Sequence, residues 1–214
     1  MNVLVIAAHP DDEVLGMGAT IRKHTKKGNK VHLCVVTEGA TAQYRNKKMI
    51  EVRKKACIVS CKILGISSFD FLEFSDMQLD SIPQLKINKQ LESIVSKIKP
   101  DIVYTTPHND LNKDHQIVFE STLVATRPSS NKVKQILCYE IPNIIMKPFN
   151  PNLFENVSKE FSYKIKAFQV YKSEVEKFPH PRSIKSIESL ATQRGIQAGV
   201  QKAEAFELIK CINY

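Results

Sequence analysis

Val3-Leu4-Val5-Ile6-Ala7-Ala8-His9-Pro10-Asp11-Asp12-Glu13 passes from six apolar residues to an imidazole and three consecutive acids within a few positions. An unbroken apolar run this short suits a strand buried on both faces, as in a parallel sheet covered by helices on each side. The same alternation continues along the chain. Leu15–Lys26 has helical spacing, Val31–Val36 is a second apolar run, and Lys47–Leu64 is a second helical stretch stopped by Gly65. Phe69–Leu72 reads as a short strand and Gln84–Ile98 as a helix closed by Pro100. Asp101–Thr105 reads as a fourth strand, Asp114–Thr126 as a helix ending before Pro128, and Val133–Tyr139 as a fifth strand. This order predicts an α/β protein: a Rossmann-like three-layer sandwich around a mainly parallel sheet.

The last third has a different texture. Pro142–Asn152 carries three prolines and is expected to wrap the surface. Ser158–Tyr171 and Ser183–Ile209 read as helices, the second interrupted near Gly195 and Gly199. The expectation is one domain over residues 1–214 with a C-terminal helical extension, a length ample for a proper core. No apolar run approaches the roughly 20 residues of a membrane span, and the run at Val3 lacks a preceding basic region. A cytoplasmic protein without integral membrane segment or signal peptide is therefore expected. Five cysteines without a CxxC pair fit reduced, mostly buried thiols.

The net charge is +9, from 31 basic and 22 acidic residues. Lysines dominate, lie scattered, and have no aromatic residues interleaved with them, which argues against nucleic acid as a partner. The field fits an anionic small-molecule substrate better. Association into a homo-oligomer is allowed by the sequence, which does not specify it.

In an open α/β sheet, ligands bind at the carboxyl ends of the strands. Two segments leave such ends: Ala8–Glu13 after the first strand, and Thr106–His115 after the fourth. Three adjacent acids in a cleft repel one another unless a cation is bound, and imidazole with carboxylate is a good set for zinc or a similar divalent ion. His9, Asp12 and His115 are the candidate ligands. Asp11 is left as a general base for a water that the metal acidifies. Glu13 reads as a structural partner that caps the following helix or bonds a loop amide. Gly16-Met17-Gly18 is a poor dinucleotide fingerprint, because Ile21 stands at the third glycine and pyrophosphate would face the acids; close packing is the better reading. His24 and His32 read as ordinary surface or strand residues.

The motif Ala8-His9-Pro10-Asp11-Asp12-Glu13, together with Asp110-x-x-x-Asp114-His115, resembles the LmbE/PIG-L family of metal-dependent de-N-acetylases. Further likeness lies in Thr37-Glu38-Gly39, Arg53, Ala125-Thr126-Arg127-Pro128, His180-Pro181-Arg182-Ser183 and Ala203-Glu204-Ala205-Phe206. The resemblance implies an acetylated amino sugar of the N-acetylglucosamine type, or its conjugate, as substrate. It implies zinc, or ferrous iron in the cell, on His9, Asp12 and His115, with Asp11 as base. It also implies Arg53 at the substrate, Asp114 orienting His115, and Asp110 in the pocket. Many relatives carry a histidine where this chain has Asn112, which can donate a hydrogen bond to an oxyanion but not a proton. The amine's proton then comes from Asp11 or from another acid such as His180. Ala56 stands where relatives often place a glutamate. Arg182 and Arg194 are candidates to grip an anionic part of the substrate. Two other readings stay open: a hydrolase of another acyl amide on the same scaffold, and a metal-dependent sugar-binding protein without turnover.

Overall fold

A strand buried on both faces needs a helical layer against each. In β1 (Asn2–Ala7), Val3, Val5 and Ala7 join one apolar cluster while Leu4 and Ile6 join another on the opposite face. The computed structural model describes residues 1–44, 48–142 and 148–213. Its elements follow in the order α1 (Asp12–Lys26), β2 (Lys30–Thr37), α2 (Lys48–Leu64), β3 (Ser68–Phe74), α3 (Gln84–Ile98), β4 (Ile102–Thr105), α4 (Lys113–Ala125) and β5 (Gln135–Tyr139). They end with β6 (Leu153–Asn156), α5 (Phe161–Phe168), α6 (Ile184–Ala198) and β7 (Ala203–Cys211). The expected start of α2 at Lys47 and the centre of the proline-rich segment, 143–147, lie outside the described residues.

One sheet holds the strands in the order β3-β2-β1-β4-β5-β7-β6. The first five are parallel, as expected, and β1 pairs with both β2 and β4. The strand order therefore reverses direction between β1 and β4, and the loops leaving these two strands face one another at the sheet's carboxyl edge. Apolar residues of α1, α2, α5 and α6 cover one face, and those of α3 and α4 cover the other. Among the described residues no helix is long and apolar enough to cross a membrane.

The C-terminal third corrects the helical reading of Ser183–Ile209. α6 stops at Ala198, Gly199 turns in the left-handed region at φ 67°, and β7 runs antiparallel to both β5 and β6. β6 was also missed. Ala, Glu, Leu and Lys in 203–211 favour a helix intrinsically, but an unpaired β5 edge offers a full ladder of hydrogen bonds, and such context overrides propensity. The expected helix over Ser158–Tyr171 is shorter, Phe161–Phe168.

Gly16 serves close packing. A Cβ there would lie 2.3 Å from Tyr139 Cδ2. At the next residue, Met17, α1 leaves helical geometry (φ −145°, ψ 25°). Glu204 of β7 accepts the Ala19 and Thr20 N–H groups at 3.1 and 2.6 Å, and Lys164 neutralises it at 2.7 Å. A buried carboxylate thus caps the second half of α1 from across the sheet.

His24 of α1 is part of the fold's response to pH. Its Nδ1 accepts a hydrogen bond from Asn29 Nδ2 at 2.9 Å, and its Nε2 lies 3.0 Å from Tyr104 Oη. Burial, with help from Lys27 and Lys23 and against the pull of Glu155, lowers its pKa to about 4. The unfolded chain keeps a histidine pKa of about 6.5, so below that pH it binds a proton that the folded chain refuses. Stability is therefore expected to fall as pH drops from about 6.5 to about 4. His24→Gln should flatten that part of a plot of urea midpoint against pH, and an unchanged slope would refute the assignment.

Candidate metal centre

The loop after β1 is held by bonds that its own sequence and distant elements supply. Asp12 Oδ2 accepts the His9 N–H at 2.8 Å, and the Asp11 carbonyl accepts the Val14 and Leu15 N–H groups at 3.1 and 2.9 Å, which starts α1. The Asp11 N–H donates to Glu13 Oε2 at 3.0 Å, and Tyr171 Oη donates to Glu13 Oε1 at 2.7 Å. Glu13 thus bonds a loop amide, one of its two expected structural roles. Asp11 itself has φ 127°, a conformation that costs a non-glycine residue on the order of 1–3 kcal/mol and persists only where its surroundings hold it. Gly39 comes so close that a Cβ would lie 2.4 Å from Pro10 Cδ, and its carbonyl accepts a hydrogen bond from Arg53 Nη1.

The three side chains read as ligands meet in one place. His9 Nδ1 lies 3.3 Å from His115 Nε2 and 3.5 Å from Asp12 Oδ2, and His115 Nε2 lies 3.4 Å from Asp12 Oδ2. A tetrahedral ion with ligand bonds of about 2.0–2.1 Å separates its ligand atoms by about 3.3–3.4 Å. The far nitrogen of each ring is also accounted for. His115 Nδ1 lies 2.8 Å from Asp110 Oδ2, while His9 Nε2 lies 3.3 Å from Asp114 Oδ2 and 3.2 Å from Asp76 Oδ1. A carboxylate on the far nitrogen keeps the proton there, so in the neutral ring the lone pair points into the triangle. The donor set, its spacing and its tautomers all fit zinc.

Asp110 takes the place behind His115 that was expected of Asp114, and Asp114 stands behind His9 instead. Asp110 lies behind His115, with its other oxygen accepting the Asn112 N–H at 2.9 Å, rather than lining the cavity. Asp114 sits against His9 and accepts the Met77 and Leu79 N–H groups at 2.8 and 3.1 Å. The i,i+1 spacing of Asp114 and His115 turns their side chains apart on a helix, whereas Asp110, on the turn before α4, reaches back to the ring. Asp76 was missed. It leaves the carboxyl end of β3, and the rule that ligand sites form at such ends was the available signal.

The neighbouring carboxyls Asp11 and Asp12 are driven apart. Burial pushes the Asp11 carboxyl above its ordinary range against the opposing pull of Arg182 and Arg53. Burial acts in the same sense on Asp12, but the His115 and His9 rings overcome it and hold that carboxyl well below the usual range. Two carboxyls with opposed environments are the usual layout for one ligand and one proton carrier. Neither oxygen of Asp11 has a hydrogen-bond partner among the described residues. Arg53 Nη2 and Arg182 Nη1 stand 3.1 and 3.5 Å from Asp11 Oδ2 without hydrogen-bond alignment.

A cavity of about 350 Å³ opens beside the triangle at His9 and is also bordered by Gln43, Arg53, Asp76, Met77, Asn112 and Arg182, among others. Asn112 caps α4: its Oδ1 accepts the Asp114 N–H at 2.9 Å, and its Nδ2 has no partner among the described residues. Arg53 borders the cavity, but it is buried and also donates to the Pro10 carbonyl at 2.8 Å, so it holds the loop rather than standing free for substrate. Arg182 is 32% exposed and pairs with buried Glu174 at 2.6 Å. Glu174 also carried no local signal in the sequence. His180 is exposed and accepts the Arg182 N–H through Nδ1 at 3.1 Å. Arg194 is taken by Glu140 at Nε, 2.7 Å.

Residues 4–126 match the PIG-L family, described as GlcNAc-PI de-N-acetylase. The uncharacterized deacetylase YaiS of Escherichia coli (strain K12) is 32% identical over 181 residues, 80% of this chain and 91% of that protein. Among solved structures, the N,N'-diacetylchitobiose deacetylase of Pyrococcus horikoshii has a TM-score of 0.84 at 23% identity, covering 98% of this chain and 84% of that one. The 4-carboxy-2-hydroxymuconate hydratase GalB of Pseudomonas putida KT2440 has a TM-score of 0.81 at 19% identity, covering 100% and 98%. The two structural likenesses carry the fold alone, and a fold does not imply a reaction.

The donor triangle makes a direct prediction. Loaded with zinc and dialysed, the chain should retain about one equivalent, and Asp12→Ala should retain little. Asp110→Asn should weaken zinc binding by roughly 10–100-fold through His115. Unchanged affinity in both variants would place the metal elsewhere.

Proposed function

The chain belongs to the PIG-L family of GlcNAc-PI de-N-acetylases, and on that premise we propose that it is a zinc-dependent hydrolase removing the acetyl group from an N-acetylated amino sugar or its conjugate. The observation that carries this reading is the pairing of two adjacent buried carboxyls, one drawn to two imidazoles at ligand spacing and the other left without a hydrogen bond beside them. His9, Asp12 and His115 would hold the metal, and ferrous iron suits the same donors in the cell. A bound divalent ion supplies Lewis acidity, polarising the amide carbonyl and acidifying water.

The chain's own residues do the remaining work. Asp11 takes the proton of the attacking water, a role that its position beside the donor triangle, with neither oxygen hydrogen-bonded among the described residues, suits. Asn112, whose Oδ1 is bound to the helix and whose Nδ2 has no partner among the described residues, donates through Nδ2 to the oxygen that gains charge as the carbonyl becomes tetrahedral. Asp11 then returns its proton to the amine nitrogen as the C–N bond breaks, and acetate and the free amino sugar leave. Arg182, a third exposed at the cavity, is placed to donate to a sugar hydroxyl or to an anionic substituent. The five unpaired cysteines suit a reducing compartment, which we take to be the cytoplasm.

Incubation of the zinc-loaded chain with N-acetylglucosamine, N,N'-diacetylchitobiose and anionic conjugates is expected to release acetate from at least one. Asp11→Asn should lower that rate by roughly 10²–10⁴ with zinc content unchanged. Full activity in the variant would remove Asp11 from the mechanism.

A further inference from the structure

Glu13 is a fully buried acid that the proposed chemistry does not use. Its surroundings connect it to the proposed base. The peptide plane between Pro10 and Asp11 is held on both sides: Arg53 Nη2 donates to the Pro10 carbonyl at 2.8 Å, and the Asp11 N–H donates to Glu13 Oε2 at 3.0 Å. The next plane is held by the Val14 and Leu15 N–H groups on the Asp11 carbonyl. Asp11 at φ 127° is therefore fixed between two anchored planes. Relief of this φ turns the Pro10–Asp11 plane against the Asp11 Cα, and the share of that turn taken up at Cα would shift the Asp11 side chain. The Glu13 bond opposes that rotation. Glu13 is itself immobilised, because Tyr171, just beyond α5, donates to Oε1 at 2.7 Å. Tyr171 is buried to 1% exposure, so the anchor reaches from the C-terminal third into the loop after β1.

We propose that Glu13, locked by Tyr171, is a positioning residue that aims the Asp11 carboxylate by pinning the Pro10–Asp11 peptide plane. The proposal rests on the reading of Asp11 as general base. Glu13 is neither in the donor triangle nor among the residues bordering the cavity. Its effect passes through one backbone N–H.

The test is a double-mutant cycle on the zinc-loaded chain, with the acetylated sugar that the wild type hydrolyses fastest among N-acetylglucosamine and N,N'-diacetylchitobiose. Glu13→Leu should lower kcat by roughly 10–100-fold, the scale of a misplaced catalytic group, with KM and zinc content unchanged. Glu13→Gln should recover most of the rate, since its amide oxygen still accepts the Asp11 N–H and its NH2 can donate to Tyr171 Oη. In the Asp11→Asn background, Glu13→Leu should change the residual rate by less than about 2-fold, because groups acting as a unit are non-additive. Tyr171→Phe repeats the comparison if Glu13→Leu does not fold. Hydrogen exchange at the Asp11 amide supplies a readout that needs no substrate: protected in the wild type and Glu13→Gln, unprotected in Glu13→Leu. Wild-type kcat in Glu13→Leu, an equal loss in both backgrounds, or a protected amide in Glu13→Leu would overturn the proposal. Full activity in Asp11→Asn alone would instead remove the base reading on which it stands. Absence of turnover with zinc bound would sink the functional reading, while the amide would still report whether Glu13 pins the plane.

Discussion

Three consecutive acids buried at the end of β1 are the constraint to which much of the rest of the structure answers. Asp11, Asp12 and Glu13 have almost no exposure to water. A buried charge must be paired, hydrogen-bonded or neutralised. Each acid meets this requirement from a different part of the chain. Asp12 faces two imidazoles, one from its own loop and one from α4. Asp11 faces arginines from α2 and from the segment before α6. Glu13 takes the Asp11 amide and the Tyr171 hydroxyl. The acids thus draw α2, α4 and the C-terminal third onto one loop.

This division also separates the chemistry. A carboxyl held between imidazoles is stabilised as an anion and suits a metal. A carboxyl that burial pushes up, with arginines close but not aligned to it, can take and return a proton. Glu174 has a quieter part in the balance. Arg182 Nη1 lies 2.6 Å from Glu174 and 3.5 Å from Asp11, so the guanidinium is committed mainly to the former. Asp11 remains the less satisfied of the two carboxyls, which is what the proposed role of proton acceptor requires.

The parallel half of the sheet sets where all this can happen. β1 and β4 are neighbours, and the loop after β1 and the first turn of α4, which follows β4, carry the two histidines of the donor triangle. The antiparallel addition of β7 and β6 has a different role. Through Glu204 it caps the bent α1, whose first turn begins at the acidic loop. GalB has a similar fold, and its name is that of a hydratase. The reaction therefore has to be argued from the side chains at the strand ends, since the scaffold beneath them is shared.

Local pattern was enough for the parallel strands, the helices between them, the loops that carry chemistry, and the residue types His9, Asp11, Asp12 and His115. Each of these is a matter of period or neighbouring residues along the chain, and so is legible there. What the sequence left out consists of contacts between residues far apart. β7 looked helical because its pairing with β5 and β6 outweighs its intrinsic preference. Asp110 rather than Asp114 meets His115 Nδ1 because the turn before α4 curls back, which spacing alone does not reveal. Asp76, Glu174 and Tyr171 enter the site from three further segments with no local motif to announce them. The sequence by itself determined which groups could hold a metal and move a proton. The tertiary structure decided which carboxylate stands behind each imidazole and which arginine stays near Asp11, because burial and charge act through space on whatever the fold brings within a few ångströms.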